Sequence, residues 1–410
     1  MSLRVRVSWA ALSAVLLLGP LSCEPSSSSP SAPDVPDQEV VDTVTITLLY
    51  TNDEHGWIEE GTESDGAAKL LGIWKNVEGY REDGPFVVVS GGDNWTGPAI
   101  STWFQGESTV EVMNAMGYTA STIGNHEFDF TVTGLEERIQ QADFPYLSAN
   151  IRLKSTGALP GFATPFIIKT VAGVDVGMVG LTTTSTPWTA FPTYVEDFDF
   201  ISYQEALSEW VPKARAAGAD LVVVLGHACR SELTALVPLA KTLGVSVLGG
   251  GHCHEMVAEV NDGVALVERG SGMKGYGKVK ITFDRGSGEI VGLLPSTAAN
   301  QGGSADAGVR SIVEKWQAAA AEELSSVIGF SEASIPQGSA ALYNLITDSW
   351  LFAFQEADIA MTNAGGVRQG IPAGDITLGT IVGVLPFQNN LIELELTGEQ
   401  VVASLSGDMI

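Results

Sequence analysis

The chain has 410 residues, 45% of them hydrophobic and 17% charged, a balance that argues against a disordered or fibrous protein and leaves room for two folded domains. Asp and Glu outnumber Lys and Arg by 49 to 21, giving a formal net charge of -28. A field of that sign repels polyanions and argues against nucleic acid polymers as partners, while a small anionic substrate stays compatible, because bound divalent cations reverse the local field of a site.

Residues 1–23 have the order of an export signal: Arg4 and Arg6 precede an apolar run from Trp9 to Gly19, followed by Leu21-Ser22-Cys23. The run is too short to span a bilayer comfortably. Cys23 after a small residue resembles a lipoprotein cleavage site, at which the cysteine becomes a lipid anchor. Pro20 stands where such sites carry an aliphatic residue, so an ordinary cleaved signal is the alternative. Residues 24–40, rich in Ser and Pro, read as a flexible tether. The protein is expected to be exported, to the periplasm or the outer cell envelope.

From 41 to 295, short β-branched runs alternate with helical patterns, which predicts an α/β layered domain. The runs are Val44 to Tyr50, Phe86 to Ser90, Asp175 to Leu181, Leu221 to Leu225 and Val245 to Leu248. Several end in Gly, Asp, Asn or His, and in open α/β sheets ligands collect beyond the carboxyl ends of strands. Residues 296–325 read as a linker whose Val309, Ile312, Val313, Trp316 and Ala320 recur at helical spacing. A second module, 326–410, contains a helical stretch from Leu342 to Phe354, a turn at Gly365-Gly366, a strand-like Leu391 to Leu396, and the opening of a helix from Thr397 to Leu405.

The chemistry gathers at the strand ends. Asp53 and His55 lie two apart just after the first run and offer oxygen and imidazole ligands; taken alone, Asp-x-His is a common loop pattern. Gly91-Gly92-Asp93 ends the second run; the glycines admit a close ligand, and the two oxygens of a carboxylate can bridge two ions. A plain Gly-Asp turn would look the same. Gly124-Asn125-His126-Glu127-Phe128-Asp129 is more specific, with an amide oxygen at Asn125 and an imidazole-carboxylate pair in His126 and Asp129. Gly226-His227 and Gly251-His252-Cys253-His254 follow two further apolar runs, and His-x-His puts two imidazoles on one side of an extended segment. All five histidines fall at such places, which a set of ordinary core histidines would not do. Cys229 and Cys253 are the only cysteines past residue 23. They could form a disulfide, pack as buried thiols, or, less simply, ligate metal.

In this order the motifs resemble the calcineurin-like metallophosphoesterases, and within them the exported 5'-nucleotidase and UDP-sugar hydrolase family. Leu345-Ile346-Thr347-Asp348, Asn363-Ala364-Gly365-Gly366-Val367-Arg368 and Pro386-Phe387-Gln388-Asn389 echo that family's C-terminal substrate domain. The resemblance implies a layered sandwich of two mixed β-sheets flanked by helices, followed by an incomplete second α/β domain. It implies two divalent metal ions (Zn, Mn, Fe or Co), one held by Asp53, His55, Asp93 and His254. The other is held by Asp93, Asn125, His227 and His252, so that Asp93 bridges. His126, oriented by Asp129, would stabilise charge on the phosphoryl oxygens or leaving group, with Asn363, Arg368, Phe387 and Asn389 holding substrate.

Two features depart from the family. Arg368 is the only basic residue after Ser325, where relatives clamp phosphate with several arginines. The family's second module also runs on past the position of Ile410, including a second aromatic that would face Phe387 across a base; Phe387 could equally be core packing. The expected activity is hydrolysis of nucleotide phosphate monoesters, with nucleotide sugars or cyclic nucleotides as secondary substrates. Competing readings are a relative that hydrolyses a sulfur ester, and an envelope lipoprotein that binds metal without turnover; the His126-Asp129 pair has no use in the latter.

Overall fold

The computed structural model describes residues 42–61 and 64–405; the export signal, Cys23 and the 24–40 tether lie outside the described residues. β-Branched runs build two six-stranded mixed sheets. The first has the spatial order Glu289–Ala299, Gly275–Asp284, Thr43–Thr51, Phe86–Ser90, Ala120–Thr122, Tyr146–Leu147. The second runs Met256–Asn261, Val264–Arg269, Val245–Gly249, Leu221–Gly226, Val174–Leu181, Phe166–Val171. The strands that end at the chemical motifs pair in parallel, so their carboxyl ends lie along one edge of each sheet.

Side chains alternate across a strand, and that period sorts the core. Ile46, Leu48, Tyr50, Val87 and Val89 meet Leu221, Val223, Leu225 and Val247 between the sheets. The intervening Leu49 and Val88 join an outer helix layer, and Val222 and Val224 join another on the opposite side. Four layers result, helix, sheet, sheet and helix, in accord with the sandwich implied by the sequence.

The segment expected as a linker is largely part of this first body. The Glu289–Ala299 strand runs past residue 295, and the Ala307–Leu324 helix buries Val309, Val313 and Trp316 in the same core as Leu70 and Val110. Its apolar stripe is what carries it there. Asp306 caps the helix, accepting from the Gly308 and Val309 N–H groups at 3.0 and 3.1 Å and pairing with Lys75 at 2.7 Å. Asp306→Ala should cost about 1 kcal/mol, read by chemical denaturation at neutral pH. The Lys75 ammonium holds the Asp306 carboxyl below its ordinary value. The native interaction is therefore complete above the usual carboxylate range and is lost as pH falls through the lowered value; an acid-limb stability profile identical in wild type and variant would contradict this.

In the C-terminal module the strands Val327–Ser331 and Gly374–Thr377 pair antiparallel, and Leu342, Ile346, Val367, Ile371 and Val384 form a small core. The helix expected from Leu342 occupies Ala340–Ala353, and the one expected from Thr397 occupies Gly398–Leu405. Leu391 to Leu396, expected as a strand, is not one: among the described residues no strand pairs with it, and Ile392 and Leu394 are 78% and 67% exposed. A ladder partner is what turns an extended run into a strand.

Candidate metal centre

Five loops at strand carboxyl ends converge. Asp53 and His55 follow Thr43–Thr51, Asp93 follows Phe86–Ser90, and Asn125 and His126 follow Ala120–Thr122, all from the first sheet. His227 follows Leu221–Gly226, while His252 and His254 follow Val245–Gly249, from the second. The first two loops are laced together by Asp53 N–H to Gly92 O and His55 N–H to Asp93 O, both 2.9 Å. Glycine is required at 91, where a Cβ would stand 2.4 Å from the Tyr50 hydroxyl and 2.7 Å from the Gly250 carbonyl oxygen.

Asp53, His55, Asp93, His252 and His254 all hold left-handed backbone, with φ of 51°, 45°, 57°, 75° and 55°. Such conformations cost about 1–3 kcal/mol each and collect at functional sites. The His252-Cys253-His254 segment is therefore not the extended one that His-x-His spacing predicts, and its imidazoles part. The ligand atoms of His254 gather with those of Asp53 and His55, and those of His252 with Asp93 and His227. Asp93 also groups with His55 and His126, so its carboxylate adjoins both sets.

Contacts behind the ligand atoms set their direction. His55 Nδ1 lies 3.1 Å from the Thr96 carbonyl oxygen and His227 Nδ1 lies 2.8 Å from that of Gly91, which leaves Nε2 facing inward. Asn125 donates its amide N–H to the Thr189 carbonyl at 3.2 Å, and its Oδ1 is buried without a hydrogen-bond partner. His227 Nε2 is 2.9 Å from Asp93 Oδ2 and 4.0 Å from Asp53 Oδ1, yet off the hydrogen-bonding direction. Buried polar atoms left so are exceptional in native proteins. The orphaned Asn125 Oδ1, within a mixed oxygen and nitrogen donor set, fits divalent cations of the Zn, Mn, Fe or Co type.

The electrostatics agree at two of the imidazoles, His55 and His252. Burial, then the neighbouring Arg368 and His126 charges, holds His55 well below its ordinary value; burial and His227 bring His252 down to about 4, leaving neutral imidazoles of the kind that bind metal. For His227 burial opposes protonation, but the Asp93 and Asp53 carboxylates outweigh it and push the value up to about 10. A cation at Nε2 would take the place of that proton.

Two glutamates inside the motifs do supporting work that spacing did not disclose. Glu54 accepts from Ser90 Oγ and Asn94 Nδ2 at 2.9 Å and from Thr51 Oγ1. Glu127 accepts from the Asp93, Asn94 and Gly124 N–H groups at 2.9, 2.7 and 2.5 Å. Burial raises them to about 7 and about 8, helped at Glu127 by Asp93. Ser185, whose Oγ lies 3.1 Å from His252 Nε2, sits in no motif and left no signal in the sequence.

His126 opens a short 3-10 turn, with Nδ1 2.8 Å from Asp129 Oδ2 and Nε2 4.0 Å from Asp93 Oδ2. Burial disfavours its charged form, but Asp129 and Asp93 together raise its pKa. Phe387 stacks on it, ring centroids 5.0 Å apart and planes at 26°, and the Arg368 guanidinium stands 5.5 Å from the Phe387 ring centre. Arg368 also donates to the Gly365 carbonyl at 3.4 Å. Asn363 and Asn389 are exposed, and among the described residues no hydrogen bond joins either to the cluster. Cys229 and Cys253 form a disulfide, which settles the three alternatives for these cysteines.

Two adjoining sets of carboxylates and imidazoles at the carboxyl edges of packed sheets define a dinuclear metallohydrolase. Residues 46–256 match the family model described as calcineurin-like phosphoesterase, and residues 317–408 match the 5'-nucleotidase C-terminal domain. The chain belongs to the calcineurin-like phosphoesterase family and is a metal-dependent phosphoric ester hydrolase that uses two divalent cations. It is 28% identical over 427 residues to the silent protein UshA(0) of Salmonella typhimurium, covering 89% of this chain and 76% of that protein. It is 26% identical over 397 residues to endonuclease YhcR of Bacillus subtilis; this alignment takes in 87% of the chain but only 32% of that longer relative. The crystal structure of a 5'-nucleotidase precursor from Thermus thermophilus superposes with a TM-score of 0.74 at 26% identity, covering 88% of this chain and 78% of the other.

Proposed function

We propose that the chain hydrolyses phosphate monoesters of nucleotides to nucleoside and phosphate, with nucleotide sugars and cyclic nucleotides as further substrates. The observation that carries this reading is the stack of Phe387 on His126 with Arg368 beside it, which sets an aromatic face and a cation from the C-terminal module against the metal-type cluster. The likeness to a 5'-nucleotidase over both modules supports it.

Asp53, His55, Asp93 and His254 would hold one cation and Asp93, Asn125, His227 and His252 the other. The chemistry that bound divalent ions supply is neutralisation of phosphoryl charge and acidification of the attacking water. As the water oxygen bonds to phosphorus and the ester P–O bond breaks, His126, oriented by its 2.8 Å contact with Asp129, stabilises the negative charge that develops on the transferred group. Arg368 pairs with phosphate, Phe387 offers its ring to the base, and Asn363 and Asn389 are the further substrate-binding residues.

The test is phosphate release by Mn-loaded or Zn-loaded protein from AMP and from an aryl phosphate. Loss of a base stack worth about 1–3 kcal/mol should raise KM for AMP about tenfold or more in Phe387→Ala, with kcat/KM for the aryl phosphate lowered far less. Equal AMP parameters in wild type and variant would remove Phe387 from the pocket, and aryl phosphate turnover with no AMP turnover would remove nucleotides as substrates.

The protein is exported and held at the envelope by lipid on Cys23, a reading supported by Arg4, Arg6 and the apolar run before Leu21-Ser22-Cys23. Among the described residues no helix is long and apolar enough to cross a membrane. Mass spectrometry of the mature N-terminus decides the anchor: a lipidated Cys23 supports it, and an unmodified start elsewhere sinks it.

A further inference from the structure

The two loops that the second sheet contributes to the site are joined by one covalent bond, Cys229–Cys253. Cys229 lies two residues beyond His227, and Cys253 lies between His252 and His254. Both of those histidines hold left-handed backbone, a conformation that persists only where the surroundings impose it. Ser185 Oγ lies 3.1 Å from His252 Nε2, and Glu255, just after the turn, donates its N–H to Glu268 Oε1 at 2.7 Å and accepts from the Arg230 N–H at 3.1 Å; the backbone of the turn itself has three further bonds. Cys253 N–H donates to Gly251 O at 2.9 Å, Gly251 N–H donates to Ala228 O at 3.1 Å, and His252 N–H reaches the Asp53 carboxylate at 3.1 Å. Cys253 itself is exposed, so packing contributes little to holding the middle of the turn. Cys229, by contrast, is anchored: it caps the 14-residue Arg230–Leu243 helix, and its N–H donates to Glu232 Oε2 at 2.9 Å. The disulfide therefore ties the middle of a strained turn to the start of a rigid element, while the residues on either side of Cys253 aim their imidazoles at different donor sets.

We propose that the Cys229–Cys253 disulfide is a positioning element of the metal centre, holding the His252-Cys253-His254 turn in the conformation that lets His252 serve one cation and His254 the other. The inference rests on the metal reading of the site. Opening the bond frees Cys253 from the helix start, lets both histidines relax toward ordinary backbone, and weakens both cation sites at once. A bond that only stapled the fold together would lower stability without altering the coordination of a bound ion.

The experiment is a Co(II) titration followed by visible absorption, which reports the ligand field, on the full-length protein, Cys229→Ser/Cys253→Ser and Arg230→Ala. Arg230 serves as control because its 2.7 Å ion pair with Glu259 ties the same helix start to the Met256–Asn261 strand without entering a ligand loop. Thermal unfolding of each metal-free protein is recorded alongside. Wild type should take up two Co(II); the double serine variant should bind about 10–100-fold more weakly, the loss usual when a partner that orients ligands is removed, and show an altered spectrum; Arg230→Ala should keep affinity and spectrum. A double variant with the wild-type affinity and spectrum overturns the proposal, even if it melts earlier. Wild type that binds no Co(II) overturns the metal reading on which the proposal stands. Should the double variant not fold, the same titration on wild type reduced by a water-soluble phosphine takes its place; the phosphine gains the oxygen of water as the S–S bond becomes two thiols. Unchanged Co(II) binding after that reduction overturns the proposal just as cleanly.

Discussion

Asp93→Asn protein should lose most of its capacity for both cations and turn over phosphate esters on the order of 10³-fold more slowly than wild type at the same metal concentration. Asp93 is 2% exposed and its carboxylate adjoins the ligand atoms of His227 and His252 on one side and of His55 and His126 on the other. Burial alone would favour a protonated acid, yet the facing His227 and His126 hold it well below its ordinary value, so it faces the candidate cation sites as an anion. Replacing one carboxylate oxygen with an amide removes that charge and one shared donor. Metal ions contribute several kcal/mol of transition-state stabilisation, and each 1.36 kcal/mol is tenfold in rate. The substitution is nearly isosteric, and Asn is among the side chains that best tolerate the φ of 57° found here, so the fold should persist. Metal analysis and kcat/KM are the measurements. A variant that retains two cations and reacts within tenfold of wild type would show that Asp93 does not join the two sites.

His126→Ala should lower kcat by about 10²–10³-fold, the range for a lost charge-stabilising donor, with metal content unchanged. Asp129→Asn should act in the same direction and less strongly, because the imidazole stays and only its 2.8 Å orienting partner is altered. Metal content is what discriminates, since the ligand atom of His126 also lies within reach of those of His55 and Asp93. If His126→Ala loses a cation in step with its activity, His126 is a ligand and its proposed action on the transferred phosphoryl group is wrong.

Much of this site was legible in the residues because strand ends announce themselves. The β-branched run from Val44 to Tyr50 is followed within three residues by Asp53, and Leu221 to Leu225 runs directly into Gly226-His227. What spacing could not carry was backbone conformation. His252 and His254 read as neighbours on one face, and their positive φ values send them to different donor sets. Nor could it show which polar groups lie behind the ligands: Glu54 and Glu127 stand inside the motifs but act through backbone and side-chain hydrogen bonds made across loops. The Leu391 to Leu396 run failed for a related reason, since alternation describes a strand's faces and is silent about what pairs with its edges. The packing of Ala307–Leu324 against the first sheet's helices likewise depends on a surface that the helix's own pattern does not specify.

The ligand loops are divided between the sheets, three from one and two from the other. The candidate metal centre is thus also a gauge of how those sheets are seated. One residue along a strand is about 3.3 Å, comparable to the 3.4 Å between His254 Nε2 and Asp53 Oδ1; a slip of that size between the layers would part donors that no local change had touched. Variants of Leu48, Val223 or Val247, deep between the sheets, would then pass for active-site lesions in any survey that scored turnover alone, and metal content measured beside it is what would tell the two apart.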